Sequence, residues 1–105
     1  MKRGIVYKKD KFAGVLWEDD EGYHFQYNQS YIDNPIYGAI SKTLPIREES
    51  YDSERMLPFF DGLIPEGWLL NIALDNWKLN PRDRMNLLLT LCDDNIGDVS
   101  IKQER

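Results

Sequence analysis

The sequence has very few of the cysteines and histidines from which zinc sites and disulfide frameworks are built. Its 105 residues include one cysteine, Cys92, and one histidine, His24. A single thiol forms neither an intrachain disulfide nor a CxxC metal pair, and a histidine with no cysteine or second histidine nearby does not make a zinc site. We therefore expect no metal, with Cys92 in a helix core and His24 at the surface or hydrogen-bonded on the polar face of a strand.

Motifs for nucleotide chemistry are also missing. The seven glycines never fall into a GxG or GK[ST] arrangement, and neither DFG nor HRD occurs. These absences exclude the usual dinucleotide-binding and phosphoryl-transfer loops. Acidic clusters such as Asp19-Asp20-Glu21 fall in predicted loops, where solvated carboxylates are the ordinary explanation. We therefore expect that the protein has no catalytic residue, binds no cofactor and is not an enzyme.

Long apolar runs and an excess of positive charge are absent as well. The longest apolar stretches, such as Leu87-Leu88-Leu89, are far shorter than the roughly 18 residues that span a bilayer. The first residues are basic, as in a signal peptide, but the charged run Lys8-Lys9-Asp10-Lys11 follows before an apolar region of sufficient length is complete. We therefore expect no export signal. The net charge of −5 disfavours binding to phosphate backbones. We expect a cytoplasmic protein without direct contact to membrane or nucleic acid.

The first third of the chain has the pattern of a β meander. Hydrophobic residues make up 42% of the sequence, enough for the core of one domain. Short β-rich runs at residues 5–7, 12–17 and 23–27 are separated by turn compositions. In the third run aromatic and polar residues alternate, so its aromatic face is expected to face the core. Residues 39–44 are a candidate for another strand.

The second half of the chain instead has residues that are typical of helix starts and ends. Asp52-Ser53-Glu54 resembles a helix start, and Pro58 limits this first helical segment to a short turn. A second helix is predicted over residues 65–77, with Pro65 at its first position. A third is predicted over residues 80–92, capped by Asn80.

These elements together predict an α+β fold in a single domain over residues 1–105. It consists of an N-terminal antiparallel β meander, two to three helices and a C-terminal strand. Residues 1–48 are expected to be mainly β and residues 52–92 mainly helical, with the final strand at 98–102.

Trp68 is expected to project from the second helix. At 100° per residue the apolar arc of this helix centres about 140° away from Trp68, which lies beside Asn71 and Asp75 instead. An outward tryptophan is a natural interface anchor. The alternative is that the sheet or Phe59 and Phe60 cover it. Ordinary core spacing is seen, in contrast, at Trp77, Met85, Leu88 and Leu91.

Four segments carry a resemblance to a known domain. Residues 25–27 with Tyr31-Ile32 resemble its strand and connecting segment, and residues 40–47 (ISKTLPIR) resemble its S-x-x-LP-aliphatic-R stretch. Residues 59–67 (FFDGLIPEG) closely resemble its FF-[DE]-x-L-[LI]-PEG motif, and residues 88–99 resemble its following helix and D-x-x-G-[AD]-V element. The domain is the one that precedes the kinase fold in HipA-type toxins.

The resemblance implies a stand-alone form of this domain. In HipA-type toxins the chain continues into a kinase, whereas this sequence stops at Arg105, so no catalytic residue carries over. The implied form is similar to HipS of three-part toxin–antitoxin systems, where it accompanies a short HipA-like kinase, HipT, and the helix-turn-helix DNA-binding protein HipB. The resemblance therefore implies that this protein is a bacterial antitoxin, which inhibits the kinase and so protects aminoacyl-tRNA synthetases from phosphorylation.

The expected kinase-binding surface lies at the start of the second helix. It contains Pro65, Glu66, Gly67 and Trp68, with Phe59, Phe60 and Asp61 as neighbours and Trp68 as the anchor. One alternative is a non-inhibitory subunit that completes the kinase or a DNA-bound repressor complex. Another is a small enzyme or ligand-binding domain, which requires a pocket of convergent polar groups.

Overall fold

Three strands joined by two tight turns begin the chain in the computed structural model, which describes residues 2–64, 83–91 and 98–103. The strands are β1 (Lys2–Lys8), β2 (Lys11–Asp19) and β3 (Gly22–Tyr27). Lys9 in the first turn and Gly22 after the second have positive φ angles of 56° and 130°. A side chain at Gly22 would also collide with Ser53, since an added Cβ would lie 2.3 Å from its carbonyl oxygen. The predicted meander is confirmed.

Two later strands extend the meander on both sides. Strand β4 (Tyr51–Ser53) pairs with β3, and β5 (Val99–Gln103) pairs with β1, both antiparallel. The described residues form one five-stranded sheet in the order β4-β3-β2-β1-β5. The predicted α+β class and C-terminal strand are confirmed.

Three helices are described, and two of them are very short. They are α1 (Gln29–Asp33), α2 (Pro58–Asp61) and α3 (Arg84–Leu91). Helix α1 was not predicted, and α3 falls inside the predicted third helix. Helix α3 begins at Arg84 among the described residues, and Asp83 caps it by accepting a hydrogen bond from the Asn86 amide at 3.1 Å. The predicted start at Asn80 and Pro81 lies outside the described residues.

The helices and the loop residues cover one face of the sheet and form the core there. The fully buried side chains of largest volume are Phe25, Phe60, Leu16, Met85, Leu87, Leu88, Ile101 and Val6. Gly4 allows α3 to approach β1, since an added Cβ would lie 2.7 Å from both Leu89 and Ile101. Burial of Phe25, Tyr27, Met85 and Leu88 confirms the predicted core faces of β3 and α3.

The strand predicted at residues 39–44 is wrong. Only an isolated bridge joins Ser41 and Leu44, and the segment otherwise turns. The Tyr27 hydroxyl accepts a hydrogen bond from the Ile40 amide at 3.0 Å and donates one to the Leu44 carbonyl. A buried tyrosine thus satisfies the backbone polar groups that a strand ladder would otherwise pair.

The helix start predicted at residues 52–54 is also wrong. Residues 51–53 form β4, and helix α2 begins at Pro58. Asp52 and Ser53 favour caps and turns in isolation, but here pairing with β3 decides their conformation. The predicted second helix at residues 65–77 lies outside the described residues.

The two phenylalanines Phe60 and Phe12 provide a matched test of this core. Phe60 is completely buried, whereas Phe12 on the other face of the sheet is 39% exposed. We expect Phe60→Ala to lower the free energy of unfolding by about 3–5 kcal/mol. Phe12→Ala should cost less than about 1 kcal/mol. Urea denaturation measures both, and equal losses would contradict the described core.

Candidate functional site

Helix α2 places the three described residues of the predicted partner surface. Pro58 occupies the first turn, where its missing amide hydrogen is no loss. The Asp61 amide donates to the Leu57 carbonyl at 3.0 Å, and the Gly62 amide donates to the Pro58 carbonyl at 2.9 Å. These bonds fix a single helical turn, so successive side chains point in directions about 100° apart.

This turn separates the two phenylalanines. Phe60 points into the core, with its ring centroid 5.3 Å from that of Phe25. Phe59 packs edge-on against Phe60 at 5.2 Å and stays partly exposed at the edge of the core. In the isolated domain, Phe59 therefore offers an accessible ring, whereas Phe60 supports it from below.

Asp61 links α2 to α3 through an ion pair. Its Oδ1 atom accepts a hydrogen bond from Nε of Arg84 at 2.7 Å. The side chains of Asp61 and Arg84 keep 45% and 31% of their surface exposed. The carboxylate therefore stays accessible beside Phe59, and the described part of the site combines an aromatic ring with an acidic rim.

The remaining residues of the predicted surface lie outside the described part of the chain. They are Pro65, Glu66, Gly67 and Trp68. Ile64, the residue before them, is buried at the core. The segment thus follows in sequence directly from the helical side of the domain.

The structure also reveals a cluster at His24 that sequence reasoning missed. Nδ1 of His24 lies 2.6 Å from Oδ1 of Asp52, and Nε2 lies 2.8 Å from Oδ1 of Asp19. His24 is only 7% exposed, so its expected hydrogen bonding is confirmed but it is not a freely solvated residue. Strand alternation pointed to the correct face, but Asp52 could be placed there only by knowing that β4 pairs with β3.

Hydrogen bonding shifts the acid–base behaviour of this cluster. The bonds to Asp52 and Asp19 raise the pKa of His24 above its ordinary value of 6.5, against the lowering effect of burial. The bond from His24 lowers the pKa of Asp19 and of Asp52 below the ordinary 3.8. The charged form of all three groups is therefore favoured.

A cleft on the outer face of the sheet is a second feature that the sequence did not predict. It has a volume of about 470 Å³, and its lining includes Val15, Trp17, Gln26, Arg3 and Glu48.

Within the described ranges, no group of three or more His, Cys, Asp or Glu residues is arranged to hold a metal ion. No helix among the described residues combines the length and apolar character needed to cross a bilayer.

Together these features define a small α+β domain with an aromatic and acidic surface on its helical side, and known proteins share this architecture. The family model of the HipA N-terminal domain matches residues 4–102. An uncharacterized protein of Haemophilus influenzae strain Rd is 31% identical over 105 residues, which cover 100% of this chain and 95% of that protein. A solved structure, the N-terminal domain of HipA toxin, matches with a TM-score of 0.70 at 29% identity, over 100% of this chain and 94% of that one. The chain belongs to the HipA N-terminal domain family.

The pair formed by Asp61 and Arg84 is expected to contribute little to stability. Partly exposed ion pairs are typically worth about 0.2–1 kcal/mol because water screens them. Asp61→Asn should therefore lower the free energy of unfolding by less than about 1 kcal/mol in urea denaturation, close to the effect of Asp20→Asn in the exposed β2–β3 turn. A loss above about 2 kcal/mol would show that Asp61 is mainly a structural residue.

Proposed function

We propose that this chain is an antitoxin-type protein that binds and inhibits a HipA-like Ser/Thr kinase of the HipT kind. Membership of the HipA N-terminal domain family over residues 4–102 is the observation that carries the proposal. The Haemophilus influenzae relative is spanned almost entirely by this domain, at 95% of its length. That coverage supports a role performed by the domain itself.

The interface we propose is centred on α2 and the segment that comes after it in the chain. Phe59 supplies a partly exposed aromatic ring whose orientation is set by the buried Phe60 beneath it. A ring that is already fixed loses little conformational entropy when a partner covers it. Asp61 adds a carboxylate at the rim that is paired with Arg84 but still 45% exposed, and rim charges mainly influence orientation and association rate.

Trp68 is the proposed anchor of the same interface. Its helical spacing predicts a position on the polar side of the second helix, and tryptophan is enriched among residues that dominate binding energy. Pro65, Glu66 and Gly67 lead into it and complete the surface. The proposal also includes the cytoplasm as location and a HipB-like helix-turn-helix protein as third member of the complex.

One finding favours a second function. The matched solved structure is a domain of the HipA toxin itself. This chain would then complete a kinase structurally, or join a DNA-bound repressor complex, without inhibiting phosphorylation. The two proposals share the docking surface and differ in its effect on kinase activity.

Substitutions in the proposed interface should weaken kinase binding selectively. We expect Phe59→Ala and Trp68→Ala each to cost about 2 kcal/mol or more, a loss of roughly 30-fold in affinity. Phe12→Ala is the matched control, because Phe12 is an exposed aromatic residue on the opposite face of the sheet. Isothermal titration calorimetry against a purified HipA-like kinase measures all three, with circular dichroism as the check on folding.

The same variants separate the candidate functions. Inhibition predicts that wild-type protein reduces kinase autophosphorylation and restores growth on coexpression, and that Trp68→Ala does neither. Binding without any effect on phosphorylation would support the structural subunit. Wild-type affinity in folded Phe59→Ala and Trp68→Ala proteins would eliminate the proposed interface.

A further inference from the structure

His24 occupies a central position on the outer face of the sheet. It lies in the middle of β3, opposite Trp17 of β2 on one side and Asp52 of β4 on the other. The indole of Trp17 stacks on the imidazole with a centroid separation of 5.1 Å and an interplanar angle of 22°. The ring therefore bridges three neighbouring strands.

The two hydrogen bonds of the ring define its charge. A neutral imidazole has one donor nitrogen, whereas the imidazolium has two. Both ring nitrogens of His24 face carboxylate oxygens, at 2.6 Å to Asp52 and 2.8 Å to Asp19. Ionised carboxylates only accept, so the geometry favours the imidazolium. A neutral ring would turn a lone pair toward one of the two carboxylates.

Other groups near the ring line its cavity or orient the two carboxylates. Glu21 and Glu54 line the same small cavity as His24 and Asp52. The Ser50 hydroxyl donates to Asp52 Oδ1 at 2.9 Å, and the charge of Arg47 helps to lower the pKa of that carboxyl. The Glu21 amide donates to Asp19 Oδ1 at 2.9 Å. Both carboxylates are thus positioned independently of the ring that joins them.

The strand held by this contact is short, although Tyr51 also attaches it by packing against the core and donating a hydrogen bond to the Pro45 carbonyl. Strand β4 has three residues, and among the described strands it pairs with β3 alone. So short a ladder provides few backbone hydrogen bonds, and a region with few such bonds is among the first to open locally. The charged contact of its central residue, Asp52, adds a pH-dependent part to this attachment.

We propose that His24 is a pH-sensitive latch, which as an imidazolium between Asp19 and Asp52 fastens edge strand β4 and the β2–β3 turn to the sheet, and which weakens the attachment of β4 when it loses its proton. All residues of the latch belong to this chain. The experiments that test it can therefore contradict the latch without contradicting the proposed kinase interface.

The direction of the pH response follows from the shifts in pKa. The pKa of His24 is raised by folding, so its stabilising effect is complete below the unfolded value near 6.5 and is lost as pH rises through the folded value. The pKa values of Asp19 and Asp52 are lowered by folding, so their effect is complete above 3.8 and is lost as pH falls through their folded values. The latch is closed between these two limits.

Nuclear magnetic resonance can test the latch directly, because His24 is the single histidine of the sequence. In the wild-type protein both ring nitrogens should carry protons at pH 6, and the titration midpoint should lie above that of an unfolded histidine. Asp52→Asn should lower the midpoint. Asp20→Asn, which removes the same charge one residue after Asp19, should leave it nearly unchanged.

Hydrogen exchange of the β4 amides measures how firmly the strand is attached to the sheet. After correction for intrinsic exchange rates, the amides of Tyr51–Ser53 should lose protection as pH rises through the His24 midpoint, and Asp52→Asn should abolish this dependence. If Asp52→Asn does not fold, Asp19→Asn removes the other carboxylate and should lower the midpoint likewise. A neutral His24 ring at pH 6, or β4 protection that does not change across the midpoint, would overturn the proposal.

Discussion

The contact between Phe60 and Phe25 is the constraint on which the rest of this molecule depends. It joins a four-residue helix to strand β3 of the sheet, and both rings are completely buried. A helix as short as α2 has no stability of its own, because helix nucleation is costly. Burial of Phe60 therefore decides where α2 lies, and with it the accessible positions of Phe59 and Asp61.

Local patterns in the sequence predicted the elements that have strong patterns of their own. Alternation over residues 23–27 and 99–101 indicated strands with a buried face, and Met85 and Leu88 indicated the buried side of α3. Strand β4 could not be found in this way, because Tyr51-Asp52-Ser53 favours turns locally and becomes a strand through distant pairing with β3. The side-chain hydrogen bonds of Tyr27 that replace a strand near Ile40 are equally non-local.

The same distinction applies to the candidate site. The segment Phe59-Phe60-Asp61 was identified by its motif, but a single helical turn does not reveal which aromatic residue faces inward. The structure assigns Phe60 to the core and leaves Phe59 and Asp61 at the surface. His24 shows the reverse case, since a residue assigned to a polar face is itself buried between the carboxylates of residues 5 and 28 positions away. The domain thus has distinct chemistry on its two sides, with the proposed docking surface on the helical side and the histidine cluster on the outer face of the sheet.

The central claim is that the helical side of the domain docks on a HipA-like kinase. Hydrogen–deuterium exchange of the chain with and without that kinase tests it most directly, because it maps contact without any substitution. The account predicts added protection in peptides that cover α2 and residues 65–68, with little change in β2 and β3. Protection confined to the outer face of the sheet, with α2 unaffected, would contradict it.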